Sequence, residues 1–417
     1  MSQPTRILLA LVAGLLGGIG LARISVSAAD VGIAIAGPVG TAWLNALQMT
    51  VIPLVVSLLV TGVASTAEAA SAGRLAARTI GLTLVLLAIN ATAAALITPL
   101  ILDLVPIPQE AAAALRAALT GVPVVATPPT IGEQFAAIIP TNVFSALSGG
   151  ALLSLIVFTL VFAFALTKIE AGARRQLVGL FAALRDAMLV VVGWVLWLAP
   201  IGVFSLAFLV GARAGSAAFG ALIHYMAVIS SIGIVVTLVA YAVAAVGSKN
   251  GVARFARAAL PAQAFAVSTQ SSLATLPAML KAAGEMGVPR TASGVTLPLG
   301  VAMFRATQPA MNLAIAIYIS RWFGVEVPML AVGAGILAGV VTSLGSISLP
   351  SQITFFASVA PIASAMGVPL TPLGLLIAVE TIPDIFRTLG NVSSNLALTA
   401  TVTRDQPDDE PALADQS

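Results

Sequence analysis

The reading turns on Val379–Asn395, VETIPDIFRTLGNVSSN. On a helix of about 3.6 residues per turn, Glu380, Asp384, Arg387 and Asn391 fall at offsets of about 0, 4, 7 and 11, one narrow face that Asn395 extends. GLLIAV precedes the stretch and LALTATV follows it, so two carboxylates and a guanidinium lie within an apolar segment. In bilayer hydrocarbon each such charge costs about 2.5 to 3.5 kcal/mol on insertion scales, which marks the face as a pathway or a site.

The remainder of the chain puts that segment in a membrane. Its 417 residues are 59% hydrophobic and only 8% charged, with a mean hydropathy of +1.06. A soluble domain carries about 25% charged residues, so this chain has too little polar surface to face water throughout. The apolar stretches have helical lengths and lack the alternating segments of an outer-membrane barrel. With no cysteine, disulfides, thiolate metal sites and Cys nucleophiles are excluded. The basic residues are scattered in short loops, so the net charge of +3 implies no nucleic-acid partner.

Taken in order, Ile7–Ala22 reads as a first span, although its length and the SVSAAD after it also match a signal peptide. The segment from Gly37 to Ser65 gives a second span with Pro53 inside it, where a kink is tolerable. A third begins at Arg74 and Arg78 and runs through Ile80–Leu102. Asp103–Gln134 reads as a long exposed loop. Phe144–Leu166 forms a fourth span, followed by a basic connector holding Lys168, Arg174, Arg175 and Arg185. Leu189–Val210 and Phe219–Val246 are the fifth and sixth, the latter followed by Lys249, Arg254 and Arg257. The basic loops place both termini in the cytoplasm.

Beyond Arg257 the pattern changes. LPAQAFAVSTQSSLATLPAMLKAAGEMG and LAVGAGILAGVVTSLGSISLPSQITFFASVAPIASAMG are each apolar but interrupted by a polar tip, with Pro277 and Pro350 just past it. Two half-helices meeting at such a tip expose backbone groups to a ligand; a kinked spanning helix is the simpler alternative for either alone. Together they bracket Ser293–Ser320, which carries Arg305 mid-segment. The tail from Arg404 is acidic and is expected to be disordered.

These features, in this order, resemble the dicarboxylate/amino acid:cation symporter family, the glutamate and aspartate transporters. QMTVIPLVV at Gln48, PTNVFSAL at Pro140 and LAPIGVF at Leu198 are similar to that family's second, fourth and fifth spans. STQSSLATLP at Ser268 is similar to its first hairpin tip, GEMGV with TLPLG at Thr296 to its seventh span, and LGSISLP at Leu344 to its second hairpin tip. DIFRTLGNVSSN at Asp384 resembles its substrate-binding eighth span.

The resemblance implies an all-α integral membrane protein of eight transmembrane helices plus two re-entrant helical hairpins, assembled as a homotrimer in the lipid bilayer of the cell's inner (plasma) membrane. Residues 1–73 would be scaffold spans, 74–102 a span on the transport-domain side, 103–134 an external loop and 135–247 further scaffold with the sixth span. Residues 248–403 would form the transport-domain core, which crosses like an elevator, and 404–417 the tail. Asp384 would bind a substrate α-amino group and Arg387 a side-chain carboxylate, which together indicate aspartate or glutamate. Thr388 and Asn391 would contact the amino group and α-carboxylate, Ser272 and the Ser271 backbone would cradle the carboxylate, the Leu349 backbone would serve the lid, and Gln308 would be an additional donor. A forked grip on a carboxylate is chemistry that a guanidinium supplies.

The sequence departs from that family at its cation sites. Where the family has Asn-Met-Asp-Gly-Thr, this chain has Phe304, Arg305, Ala306, Thr307 and Gln308, and where it has a later Asp this chain has Asn395. A weaker, ungapped alignment puts Thr83, Leu86 and Leu87 at its third-span ligands. No metal site is therefore expected. Two acids, Glu380 and Asp384, balance two arginines, Arg305 and Arg387, so Arg305 is expected to stand in for bound sodium and transport to be sodium-independent, with a proton on Glu380 or Asp384 as the coupling ion. The alternative for Arg305 is a structural partner of Glu380. A sodium-coupled acidic amino acid or dicarboxylate symporter is the nearest competing function.

His224 reads as an interface residue or a proton relay, and Trp43, Trp194, Trp197 and Trp322 as belt or packing residues. Of other classes, an intramembrane aspartyl protease needs two acids facing across elements, and an anion channel needs rings of charge along a pore. No nucleotide-binding motif is present, no organic cofactor is implied, and the chain does not read as an enzyme.

Overall fold

The computed structural model describes residues 3–71, 73–108, 110, 112–113, 116, 139–148, 152–249, 251–344 and 351–405. Among them the chain is helical, with no strand. The helices are α1 (Gln3–Ile24), α2 (Val26–Ser71), α3 (Arg74–Leu104), α4 (Val143–Ser148), α5 (Leu152–Leu166), α6 (Ala171–Trp197), α7 (Ala199–Ala214) and α8 (Ala217–Gly247). They continue as α9 (Gly251–Thr269), α10 (Leu276–Glu285), α11 (Arg290–Met303), α12 (Gln308–Phe323), α13 (Met329–Thr342), α14 (Ser351–Ala365), α15 (Leu373–Leu376) and α16 (Thr381–Val402). The helices α1, α2, α3, α6 and α8 are each long and apolar enough to cross a membrane.

Each prominent departure from expectation has a local cause. The helix that holds the second span begins well before Gly37: α2 starts at Val26 and runs 46 residues through both Pro38 and Pro53. At about 1.5 Å per residue that is roughly 70 Å, more than twice the hydrocarbon thickness of about 30 Å. Around Pro53 the backbone oxygens find side-chain donors, with Ser57 Oγ donating to Pro53 O at 2.7 Å and Thr61 Oγ1 to Ser57 O at 2.7 Å. The fifth span is two helices. α6 ends at Trp197 and α7 opens at Ala199 with Pro200 in its first turn, where the ring and the missing N–H stop a helix from passing through. Arg174, Arg175 and Arg185 belong to α6, so the basic connector shrinks to the few residues after Leu166.

Of the expected loop, Asp103–Pro106, Pro108, Glu110, Ala113 and Arg116 are exposed, while Ala112 is buried and Arg116 Nε donates to Trp322 O of α12 at 2.6 Å. The start of the tail is also tied down: Arg404 Nη1 donates to Val246 O at 3.0 Å, and Asp405 pairs with Arg78 at 3.3 Å. The remainder of loop and tail lies outside the described residues.

α1 is built into the bundle along α7. A Cβ on Gly14 would stand 2.5 Å from Phe204 O, and one on Gly18 2.3 Å from Phe208 O, so the two backbones meet with no side chain between them. Trp43 is buried and donates to Val195 O at 3.0 Å, while Trp194 and Trp197 stand exposed on α6. Trp322 is buried against Tyr318, so the four tryptophans divide between packing and surface.

Of three apolar clusters among the described residues, two make up most of the interior. One gathers side chains of α1, α2, α6, α7, α8, α12 and α14, and the other those of α8, α9, α10, α11 and α16. α16 is therefore enclosed: α8, α9, α11 and α3 all touch it, and every residue from Gly390 to Ala400 is buried.

Candidate functional site

The charged stripe lies where α16 begins. The helix starts at Thr381 with Glu380 as its N-cap, and because Glu380 has helical dihedrals (φ −64°, ψ −18°) the stripe continues unbroken through it. Glu380 is 0% exposed, and Asp384, Arg387, Thr388, Asn391 and Asn395 are all buried. Arg387 joins the two acids: its Nη2 donates to Glu380 Oε1 at 2.5 Å and its Nε stands 3.7 Å from Asp384 Oδ1. The second oxygen of Glu380 accepts from Tyr225 on α8 at 3.1 Å.

Facing α16, the segment that carries Arg305 is broken. α11 ends at Met303, Phe304 is extended (φ −136°, ψ 136°), and α12 restarts at Gln308 with Pro309 in its first turn. The freed groups are satisfied by side chains from elsewhere. Thr307 N–H and Oγ1 both donate to Asn391 Oδ1, at 2.9 and 3.0 Å. Asn90 of α3 donates to Ala306 O at 3.0 Å. The approach is close enough that a Cβ on Gly390 would meet Thr307 Cγ2 at 2.5 Å.

Arg305, at the break, interacts electrostatically with Asp384 and with Arg387. The Glu380 carboxylate accepts from Arg387 and from Tyr225. Phe304 lies in an apolar cluster with Ile80, Leu87 and Met303. Asn395 Oδ1 lies against Gly300, 2.6 Å from where a Cβ would be.

Glu380, Asp384, Arg387, Thr388, Asn391 and Arg305 thus come together around one break. Thr388 Oγ1 is turned to its own helix, donating to Asp384 O at 3.0 Å. Gln308 faces the second interrupted segment, donating to Thr342 O of α13 at 3.2 Å. Ser271 and Ser272 lie in the turn between α9 and α10, which passes through Gln270 in the left-handed region (φ 51°), and Ser271 Oγ accepts from Ala274 N–H at 3.2 Å. Leu349 lies outside the described residues.

Two participants were not singled out from the sequence. Asn312 of α12 accepts from Arg387 Nη1 at 2.9 Å, and Tyr225 completes Glu380. Asn312 had a signal, being four residues from Gln308 in an otherwise apolar run. His224 meets Val105 O at 2.8 Å through Nε2 and Tyr318 Oη at 3.1 Å through Nδ1, so both ring nitrogens are engaged.

A buried cage of two acids and a guanidinium beside a broken helix is suited to holding a small charged solute. Comparison with known proteins points the same way. The chain is 26% identical over 407 residues to a proton/glutamate-aspartate symporter of Escherichia coli strain K12, covering 94% of this chain and 90% of that one. It is 27% identical over 375 residues to a proton/sodium-glutamate symport protein of Bacillus subtilis, covering 88% and 84%. A match to the human neutral amino acid transporter A, 28% identical over 263 residues, covers 60% of this chain and 47% of that one. The profile of the sodium:dicarboxylate symporter family matches residues 4–405, nearly the whole chain, and with its many apolar helices this multi-pass membrane protein belongs to that family of symporters.

Proposed function

We propose that this protein is a secondary transporter of acidic amino acids, aspartate or glutamate, independent of sodium and coupled to protons. The observation that carries the reading is the cage at the start of α16, where Arg387 lies between Glu380 and Asp384 with Arg305 beside it. Arg387 would take the side-chain carboxylate and Asp384 the ammonium, while Thr388, Asn391, Gln308 and the tip containing Ser271, Ser272 and, in the second hairpin, Leu349 would complete the pocket. The name of the Escherichia coli relative, a proton/glutamate-aspartate symporter, supports both substrate class and proton.

Sodium independence rests on the seventh segment. Phe304 fills its position with buried hydrocarbon, the Ala306 carbonyl is already bonded to Asn90, and Arg305 brings a tethered positive charge to Asp384. The Bacillus relative, whose name includes sodium, favours the second reading, a sodium-coupled symporter of the same solutes.

We read the interrupted segments as two re-entrant hairpins within an eight-span elevator. α10, α13 and α14 hold 10, 14 and 15 residues, and at about 1.5 Å per residue each falls short of a hydrocarbon layer of about 30 Å. A homotrimer in the plasma membrane with cytoplasmic termini completes the reading.

Uptake of radiolabelled aspartate into proteoliposomes under an imposed proton or sodium gradient tests it. We expect stimulation by the proton gradient and none by sodium, and Arg305→Met to introduce cation dependence. Stimulation of the wild type by sodium alone would end the sodium-free reading.

A further inference from the structure

A substrate carboxylate that grips Arg387 at two points must use Nη2, the nitrogen that Glu380 now engages. A guanidinium offers two forked edges, Nε with Nη2 and Nη1 with Nη2, and both include Nη2. That nitrogen is held by Glu380, while Nη1 is held by Asn312 and Nε has no hydrogen-bond acceptor. Nη2 carries two hydrogens, so an arriving carboxylate either shares that nitrogen with Glu380, setting two anions side by side on one guanidinium, or displaces it, and in both cases Glu380 loses counter-charge. Once displaced, Glu380 retains Tyr225 Oη on Oε2 and is enclosed by protein on all sides. An ion left without its counter-charge in such a place costs several kcal/mol, and binding a proton removes that cost.

We infer that Glu380, and not Asp384, takes up the co-transported proton, one per acidic substrate, when the substrate carboxylate displaces it from Arg387. The inference rests on the proton-coupled reading above and assigns its carrier. The proton arrives from the aqueous side on which the substrate enters and adds to Oε1, the oxygen that Arg387 vacates, while Oε2 keeps Tyr225. On release the substrate leaves Arg387, the proton leaves Oε1, and the ion pair re-forms.

The surroundings favour Glu380 over Asp384. Around Glu380 stand Arg387 and Asp384 from its own element, Tyr225 from α8, and Tyr318 of α12 behind Tyr225, their rings edge to face at 5.3 Å. His224 is turned to Tyr318 and Val105. Asp384 has a second cation in Arg305, so it stays balanced when Arg387 turns to the substrate. Charge supports one proton. The empty cage holds two arginines and two carboxylates, and adding an amino acid of net charge −1 with one proton leaves it neutral again, so neither form carries net charge across the bilayer.

The test is aspartate binding to the purified full-length protein in detergent, by calorimetry in buffers of different ionisation enthalpy across a pH series. Wild type should take up one proton per aspartate and lose affinity about tenfold per pH unit on the alkaline side, the slope of one linked proton. Glu380→Gln should bind without proton uptake and with a flat profile, and Tyr225→Phe should shift the wild-type profile along the pH axis.

A Glu380→Gln protein that keeps the wild-type slope overturns the inference and leaves proton coupling to another group. A wild type with no slope whose uptake follows sodium instead overturns the proton-coupled reading itself. Should Glu380→Gln show no cooperative melt, Tyr225→Phe decides: a profile identical to wild type overturns the assignment.

Discussion

At the scale of single residues, the site depends on neutral groups that hold charged ones. Asn312 is 0% exposed and accepts from Arg387 Nη1, while its own Nδ2 has no partner among the described residues. Asn312→Leu keeps the volume but leaves a charged N–H buried without an acceptor, which costs about 1–3 kcal/mol. We expect a lower melting temperature, with part of the loss recovered when saturating aspartate gives the guanidinium a new acceptor. Gly390 is a steric counterpart. A methyl group there would meet Thr307 Cγ2 at 2.5 Å and push Thr307 off Asn391. Gly390→Ala should cost about 1–3 kcal/mol, the usual range for overpacking, and should weaken aspartate binding as well as the melt.

At the scale of elements, the contact between α1 and α7 includes none of the cage residues. A Cβ on Gly211 would lie 2.3 Å from Leu15 O, a backbone atom that cannot swing aside. Gly211→Ala should therefore lower the melting temperature without changing the affinity for aspartate, whereas Gly390→Ala should lower both, and calorimetry on the two variants separates stability from binding.

What the sequence disclosed at this scale follows from what is local. The stripe from Glu380 to Asn395 was legible because a helix repeats along the chain and charges in apolar surroundings stand out. The break in the seventh segment was not legible: Arg305 reads as mid-segment, and Pro309 is ambiguous because a proline also fits the first turn of a helix. The break after Trp197 was hidden because LAPIGVF is apolar throughout and only Pro200 marks it. The early start of α2 was hidden by small residues between Val26 and Gly37 that carry little periodic signal. The pairings that complete the site were out of reach. Tyr225 and Glu380 are 155 positions apart, and Asn312 and Arg387 are 75 apart. No rule of spacing within one chain connects such residues; packing of α8, α12 and α16 does.

At the scale of the whole molecule, the elevator proposed above would have α2 and α6 slide against α12, α13 and α14. Between these groups the structure leaves an apolar cavity lined by Leu54, Leu58 and Leu189 on one side and by Gln308, Thr342 and Ser358 on the other. A seam with such a gap forgoes dispersion contacts that a permanent joint would make, as expected of surfaces that part. The chain has no cysteine, so engineered thiols react without background. Leu58→Cys paired with Ser358→Cys and bridged by a short bifunctional thiol reagent should bind aspartate but carry none across the membrane. Reduction of a cleavable bridge should restore uptake, and either single variant treated in the same way should keep it. Transport that continues through the bridged pair would mean that these surfaces stay together while the solute crosses, and the moving part would then have to be smaller than the half of the molecule that carries α16.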